Sequence, residues 1–192
     1  IDLGTGRTAV AVSSGRHHTC VILDNDDLKC WGRNHVGQLG DGSNTDTNAP
    51  PSTAIDLGTG RTAVAVSGGG LETCAILDNF ELKCWGWNTF GQLGVGSNTN
   101  QYSPASVDLG TDRTAVAIAA GNNACVILEN GDLKCWGWDQ YGQVGDGGSA
   151  TNRNSPVSVD LGTGRTAVAV DVNNQNACAI LDNGDLKCWG DD

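Results

Sequence analysis

Small and larger side chains alternate through Thr8-Ala9-Val10-Ala11-Val12-Ser13. Thr8, Val10 and Val12 fall on one side, and Ala9, Ala11 and Ser13 on the other. Period-two alternation of this length predicts a strand. Its small-residue face is nearly flat, which suits a sheet lying close against another. Two further apolar runs follow, Cys20-Val21-Ile22-Leu23 and Leu28-Lys29-Cys30-Trp31, with the turn formers Asp24-Asn25-Asp26-Asp27 between them. Near the end of the chain that turn reads Asp182-Asn183-Gly184-Asp185. Asn-Gly between apolar runs signals a hairpin, because both residues tolerate positive φ. A fourth strand is predicted at Ser155-Pro156-Val157-Ser158-Val159, joined to the next alternating run through Gly162-Thr163-Gly164. No segment has helical periodicity.

The whole pattern recurs. Asp2, Asp56, Asp108 and Asp160 each precede Leu-Gly-Thr, at intervals of 54, 52 and 52 residues. A period near 50 belongs to propellers and related β arrays, not to helical solenoids. The units are 1–54, 55–106, 107–158 and 159–192. The fourth stops after its Cys-Trp-Gly and has no Gly-Gln-Leu-Gly loop. The predicted fold is all-β: four propeller-type blades of about four antiparallel strands each, part of a larger propeller or an open superhelical array. A closed ring of four blades would need bulky side chains to fill its wide rim gaps. This chain has 5% aromatic residues and no Met. Unpaired strand edges at Ile1-Asp2-Leu3 and Trp189-Gly190 would be covered by more of a longer chain or by a head-to-tail copy, which makes a filament one possible assembly.

Ala11–Thr19, Trp31-Gly32-x-Asn34 and Gly37-Gln38-Leu39-Gly40 make an ordered set of motifs that returns at the repeat period. The last motif recurs as Gly91–Gly94 and, with Val144, as Gly142–Gly145. The set resembles the regulator of chromosome condensation repeats over essentially the whole chain. That resemblance implies a propeller, usually of seven blades. The paired cysteines depart from the nuclear members. They look more like secreted relatives such as the ectodomains of crinkly-type plant receptor kinases.

Cys20 and Cys30 are ten positions apart, so both point to one face of their hairpin, and a three-residue turn sets them opposite each other. The expected disulfides are Cys20–Cys30, Cys74–Cys84, Cys125–Cys135 and Cys178–Cys188. Each contributes at most roughly 3 kcal/mol by loop entropy. Zinc pairs are normally spaced by two to four residues, so metal is not expected. Disulfides imply an oxidising compartment, hence a secreted or cell-surface protein. The chain opens at Ile1 rather than Met, which suggests a processed product or a piece of something longer. No apolar run is long enough to cross a membrane, and no Asn-x-Ser/Thr acceptor is present. Net charge is −11, the wrong sign for phosphate backbones, so nucleic acid is not an expected partner.

Little points to catalysis. The three histidines, His17, His18 and His35, all lie in the first unit, whereas a shared mechanism would keep them in every unit. No Gly-x-Ser-x-Gly elbow occurs. Gly4-Thr5-Gly6-Arg7 lacks the Gly-Lys-Ser/Thr ending of a phosphate loop and is better explained as a turn. Asp2 and Arg7 flank that turn and are expected to pair across it, as are Asp56 with Arg61, Asp108 with Arg113 and Asp160 with Arg165. The acidic turns Asp24–Asp27 and Asp182–Asp185 are too short to wrap calcium. Gln38, Gln92 and Gln143 are expected to bond local backbone. Trp31, Trp85, Trp136 and Trp189 are expected to pack between blades.

Variation between units gathers before each first cysteine and after each Trp-Gly. In the second place stand Trp87, Phe90, Trp138 and Tyr141, with Arg33 and His35 in the first unit. These six are the candidate recognition residues, with inter-blade packing as the competing role. The expected function is a non-enzymatic extracellular module, without cofactor, that binds another protein or copies of itself. A carbohydrate-binding propeller using the loop aromatics is the alternative. Guanine-nucleotide exchange, which the resemblance to nuclear family members implies, is the remote one. Acidic charge and the lack of matched exchange residues set it aside.

Overall fold

The computed structural model describes residues 1–148 and 150–191. Each alternating run enters a meander of antiparallel strands, and four such sheets follow in chain order. The first holds β1 (Ala9–Ser14), β2 (His18–Leu23) and β3 (Leu28–Gly32). The second holds β4 (Ala63–Gly68), β5 (Glu72–Leu77), β6 (Leu82–Gly86) and β7 (Gln101–Ser106). The third holds β8 (Ala115–Ala120), β9 (Asn123–Leu128), β10 (Leu133–Gly137) and β11 (Arg153–Ser158). The fourth holds β12 (Ala167–Val172), β13 (Asn176–Leu181) and β14 (Leu186–Gly190). No helix occurs among the described residues.

Three sequence expectations need correction. First, the first sheet lacks the fourth strand seen in the second and third. Its place is taken by one isolated bridge, Gly32 to Thr47. The anchors of this segment explain why. In the second sheet six residue steps separate Gln101, paired with Gly86, from Val107, whose N–H meets Leu82 O. In the first sheet eight steps separate Thr47 from Ile55, whose N–H meets Leu28 O. The two extra residues of the longer first unit fall here and cannot run in register.

Second, the alternation in the opening strands is broken by a bulge. Ala9 pairs with Leu23 and Ala11 with Ile22, which squeezes Val10 out of the ladder. The same bulge recurs in the second, third and fourth sheets. Val10, Val64, Val116 and Val168 are consequently exposed rather than packed.

Third, each arginine beside the Gly-Thr turn pairs with the hairpin carboxylate, not with the Asp of its own turn. The pairs are Arg7–Asp24, Arg61–Asp78, Arg113–Glu129 and Arg165–Asp182, at 3.5, 3.2, 2.8 and 3.3 Å. Asp2, Asp56, Asp108 and Asp160 instead accept the N–H of Gly4, Gly58, Gly110 and Gly162. A side chain that closes its own turn in this way is already satisfied locally.

The hairpins between second and third strands have three-residue loops, and only the third loop residue takes positive φ. Asp26 and Phe80 do so at 65° and 64°, where the other two loops use Gly131 and Gly184. The Asn of each Asn-Gly pair therefore needs no left-handed conformation. This loop length sets Cys20 opposite Cys30, and likewise in every unit. All four expected disulfides are formed, with Cα atoms 4.1 Å apart.

The core lies between sheets. One face of each sheet offers a Cys-Ile-Leu-Cys set, and the next sheet covers it with Ala, Leu or Val and its Trp. Cys20, Ile22, Leu28 and Cys30 meet Ala63, Ala75, Leu77 and Trp85. Cys74, Ile76, Leu82 and Cys84 meet Ala115, Val126, Leu128 and Trp136. Cys125, Ile127, Leu133 and Cys135 meet Ala167, Ala179 and Leu181. Among the described residues packing runs from each sheet to the next and not from the first sheet to the last, so these four sheets do not close a ring. The turns between first and second strands of all four sheets converge on one open cleft of about 730 Å³, lined by Arg16, Gly69, Gly70, Gly121 and Asn173 among others.

Candidate interaction surface

The loop after each Trp-Gly is built from inside. Asn34, Asn88 and Asp139 are buried, and their side-chain oxygens accept the N–H of Leu39, Leu93 and Val144 at 3.0, 3.0 and 2.9 Å. Gln38, Gln92 and Gln143 fold back to accept the N–H of Val36, Phe90 and Tyr141. This is the local backbone bonding expected of them. Each such loop is then clipped to the following sheet. The indole N–H of Trp85 donates to Gln38 O at 3.1 Å, Trp136 to Gln92 O at 2.9 Å and Trp189 to Gln143 O at 2.9 Å. The loop glycine has to be a glycine. A Cβ on Gly40 would lie 2.5 Å from the Trp85 indole nitrogen, and one on Gly94 2.7 Å from that of Trp136.

Burial has an electrostatic consequence in the third loop. Asp139 stands where the other loops use Asn, and desolvation raises its carboxyl above the ordinary range, with the Asp146 charge adding to the effect. Arg153 sits against Asp146 with its Nη2 at 2.6 Å.

Clipping one loop over the next sheet brings the second and third loops side by side. Trp87 meets Phe90 edge-on at 5.1 Å between centroids, Phe90 stacks on Trp138 at 5.7 Å, and Trp138 meets Tyr141 edge-on at 5.6 Å. The four loop aromatics thus form one row that crosses a sheet junction. Such pairs contribute about 0.5–1.5 kcal/mol each beyond area burial. Trp87, Phe90 and Trp138 remain half-buried and Tyr141 exposed. Packing on each other and facing solvent are both true of them. Arg33 and His35 lie in the equivalent first loop, exposed and outside the row. Partial desolvation, followed by the Arg33 charge, lowers the His35 pKa.

The segment before each first cysteine, the other variable place, lines the central cleft, a surface the sequence reading did not single out. The signal was the variation itself: His18, Glu72, Asn123 and Asn176 occupy one position. His18 is buried, with Nε2 2.8 Å from Thr73 Oγ1, and burial lowers its pKa to about 4. Glu72 is wholly buried and accepts the N–H of Gly70 and Leu71, yet desolvation raises its pKa to about 7. No group of three or more His, Cys, Asp or Glu suited to a metal occurs among the described residues.

Two family models describing the regulator of chromosome condensation (RCC1) repeat match the chain. One covers 9–38, 115–143 and 167–192, the other 28–76 and 84–128. The chain belongs to the RCC1 repeat family. Among curated RCC1 relatives, the Ultraviolet-B receptor UVR8 of Arabidopsis thaliana is 26% identical over 93% of this chain and 40% of its own length. Human E3 ubiquitin-protein ligase HERC2 is 27% identical over 94% of this chain and 4% of its own. The chain therefore spans well under half of these relatives. Human WBSCR16 superposes with a TM-score of 0.86 at 21% identity, over 96% of this chain and 47% of that one. Yeast RCC1 (Prp20), solved bound to Kap60, gives 0.82 at 20% over 99% and 45%. The CRINKLY ectodomain of the Arabidopsis thaliana receptor kinase ACR4 gives 0.59 at 16% over 97% and 54%. At these identities the likeness establishes the RCC1 propeller fold, of which four open sheets form a part.

Proposed function

We propose that this RCC1-repeat segment is a non-enzymatic, extracellular module that binds another protein through the row Trp87, Phe90, Trp138 and Tyr141. The row carries the reading. Half-exposed aromatics on loops held by buried hydrogen bonds present rigid apolar area at low entropic cost, as protein-binding surfaces do. Net charge of −11 favours a partner with basic residues beside its apolar anchor. The extracellular assignment draws support from the four disulfides and from the fold shared with a receptor ectodomain. The yeast RCC1 structure bound to Kap60 offers a precedent for protein binding within the family.

Peptide-library selection against the chain tests this, with Trp87→Ala/Trp138→Ala as the counter-target. The expected outcome is enrichment of peptides carrying aromatic and Lys or Arg residues that bind the double variant at least tenfold more weakly. The double variant should keep the parent's circular dichroism and four disulfides while melting several degrees lower, because it loses all three ring pairs. Equal binding to both proteins would sink the reading. So would glycan-array binding that depends on these rings, which would make the surface a carbohydrate platform instead.

A further inference from the structure

Arg7, Arg61, Arg113, Arg153 and Arg165 each have a carboxylate oxygen within 3.5 Å. The remaining arginines, Arg16 and Arg33, have no ion pair or side-chain hydrogen bond among the described residues. They are neighbours. The Arg33 N–H donates to His17 O at 2.9 Å, and Arg16 precedes His17 in the turn that borders the central cleft. After desolvation, Arg33, Asp46 and His17 all act on the His35 titration, so these groups stand within reach of one another. The carboxylates of this loop, Asp46 and Asp41, are taken up by its own donors. Asp46 accepts the Asn34 N–H, and Asp41 accepts the Ser43 N–H and the Asn34 amide.

Access to this patch follows from its place at the strand ends, not from what flanks the chain. The second and third units each have a sheet packed on both sides. There the counterparts of His17 and Arg33, namely Leu71, Asn122, Trp87 and Trp138, stay half-buried, and Thr89 and Gln140, the counterparts of His35, stay exposed.

The local sign is opposite to that of the whole chain, whose net charge is −11. The hairpin carboxylates and the Asp-Leu-Gly turns share the other end of the sheets, where the arginines beside those turns reach them. The six-residue β2 lies between that end and the patch, a distance of about 17 Å at the rise of a strand. With a Debye length of about 8 Å in physiological salt, those acids are largely screened here.

The aromatic row points at the patch. Arg33 holds the place of Trp87 and Trp138, and half-buried Val36 that of Phe90 and Tyr141. Phe90 stacks on the Trp138 of the next unit. The clip from Gln38 O to Trp85 sets the first loop over the second sheet in the same way, so the first loop is one further step of the row. That step carries a guanidinium where the others carry an indole, and its planar fork suits a carboxylate.

We infer that Arg16 and Arg33, with the imidazole N–H groups of His17 and His35 beside them, hold Asp or Glu side chains of the protein that the aromatic row binds. The bound segment lays its apolar anchors over the second and third units and an acidic stretch over the first. Basic residues elsewhere in the partner answer the charge of the rest of the chain. This assignment rests on the row being the binding surface, and it gives the bound segment a direction.

Fluorescence anisotropy with synthetic probes tests it. Each probe is a Trp-Gly-Trp segment flanked on one side by three Glu, made in both chain directions, with Gln-for-Glu counterparts. One Glu probe should bind the parent roughly threefold to tenfold tighter than its Gln counterpart, and that preference should shrink as salt rises. Arg16→Gln/Arg33→Gln should erase the preference and Arg16→Glu/Arg33→Glu reverse it. Both variants should keep the parent's melting temperature, because neither guanidinium loses a partner. Equal binding of Glu and Gln probes to the parent would overturn the carboxylate site, as would a preference that survives Arg16→Gln/Arg33→Gln. A sulfated oligosaccharide that binds more tightly than the Glu probe and needs the same arginines would also overturn it, by making the patch a glycan site. Trp87→Ala/Trp138→Ala separates the two readings. Loss of both probes from that variant, with no Glu preference in the parent, removes the carboxylate site and leaves the row. A Glu probe that still binds it through the arginines removes the row and leaves the carboxylate site.

Discussion

His18 and Glu72 hold one position in neighbouring units, and burial pushes their titrations in opposite directions. Glu72 has a folded pKa of about 7 against an ordinary 4.5. The folded state holds its proton more tightly, so this group adds stability as pH falls from 7 to 4.5 and removes it as pH rises. His18 has a folded pKa of about 4 against an ordinary 6.5. The unfolded chain takes up its proton first, so this group removes stability as pH falls from 6.5 to 4. Each shift amounts to roughly 3 kcal/mol over its window, and the windows overlap between 4.5 and 6.5. In the parent the two slopes largely cancel there. Denaturant titrations at several pH values should show Glu72→Gln losing stability on acidification from 6.5, through the uncompensated His18. His18→Asn, which copies Asn123 and Asn176, should gain it. Parallel pH profiles for both variants would refute this pairing. Neither shift was legible in the sequence, because a His or Glu in a variable segment looks like a solvated surface residue until its burial is known.

At the scale of elements, the hairpins were legible and the strands before and after them were less so. Two apolar runs around an Asx-rich turn, with cysteines ten apart, leave one register. The bulge at Val10 was hidden, since unbroken Ala-Val alternation is also what a regular strand shows. The missing fourth strand of the first sheet had a signal in the 54-residue spacing, which marks two extra residues without locating them. Burial also ranks the four disulfides, which are otherwise alike. Six half-cystines, Cys20 to Cys135, are 0–1% exposed, whereas Cys178 is half-buried and Cys188 exposed. Thiolate attack needs access to sulfur. Mild reduction followed by alkylation and peptide mapping should therefore label Cys178 and Cys188 well before any other pair. Simultaneous labelling of all eight would show that opening is global and not set by exposure.

For the whole molecule, periodicity told the architecture because each unit must bury its faces on neighbours of the same kind. The aromatic row could not be foreseen as a row. Trp87 and Phe90 are separated from Trp138 by a complete unit, and they meet only because each loop is clipped over the next sheet. The same construction separates what is shared between units from what differs. Stability runs through the Cys-Ile-Leu-Cys face and the Trp clip, which recur, while the loop tips and the central turns are left to vary.

The clip from Gln carbonyl to the following indole makes the number of units an editable quantity. Every unit from the second onward arrives with the indole that answers the unit before it, and the first three leave with the carbonyl that the next one needs. Excising residues 55–106 joins Ala54 to Val107, which holds in its unit the place that Ile55 holds in the second. It also puts Trp136 where Trp85 stood, over Gln38. The shortened chain should fold cooperatively with its three remaining disulfides intact, as calorimetry and non-reducing peptide mapping can establish. Excising only half a unit, residues 55–80, should not fold, because it removes the first two strands of the second sheet with Cys74 and leaves Cys84 without its disulfide partner. Lengthening or shortening such a gene by whole units would then leave every junction sound, and copy number could drift while the surface presented at the loop tips is rewritten one unit at a time.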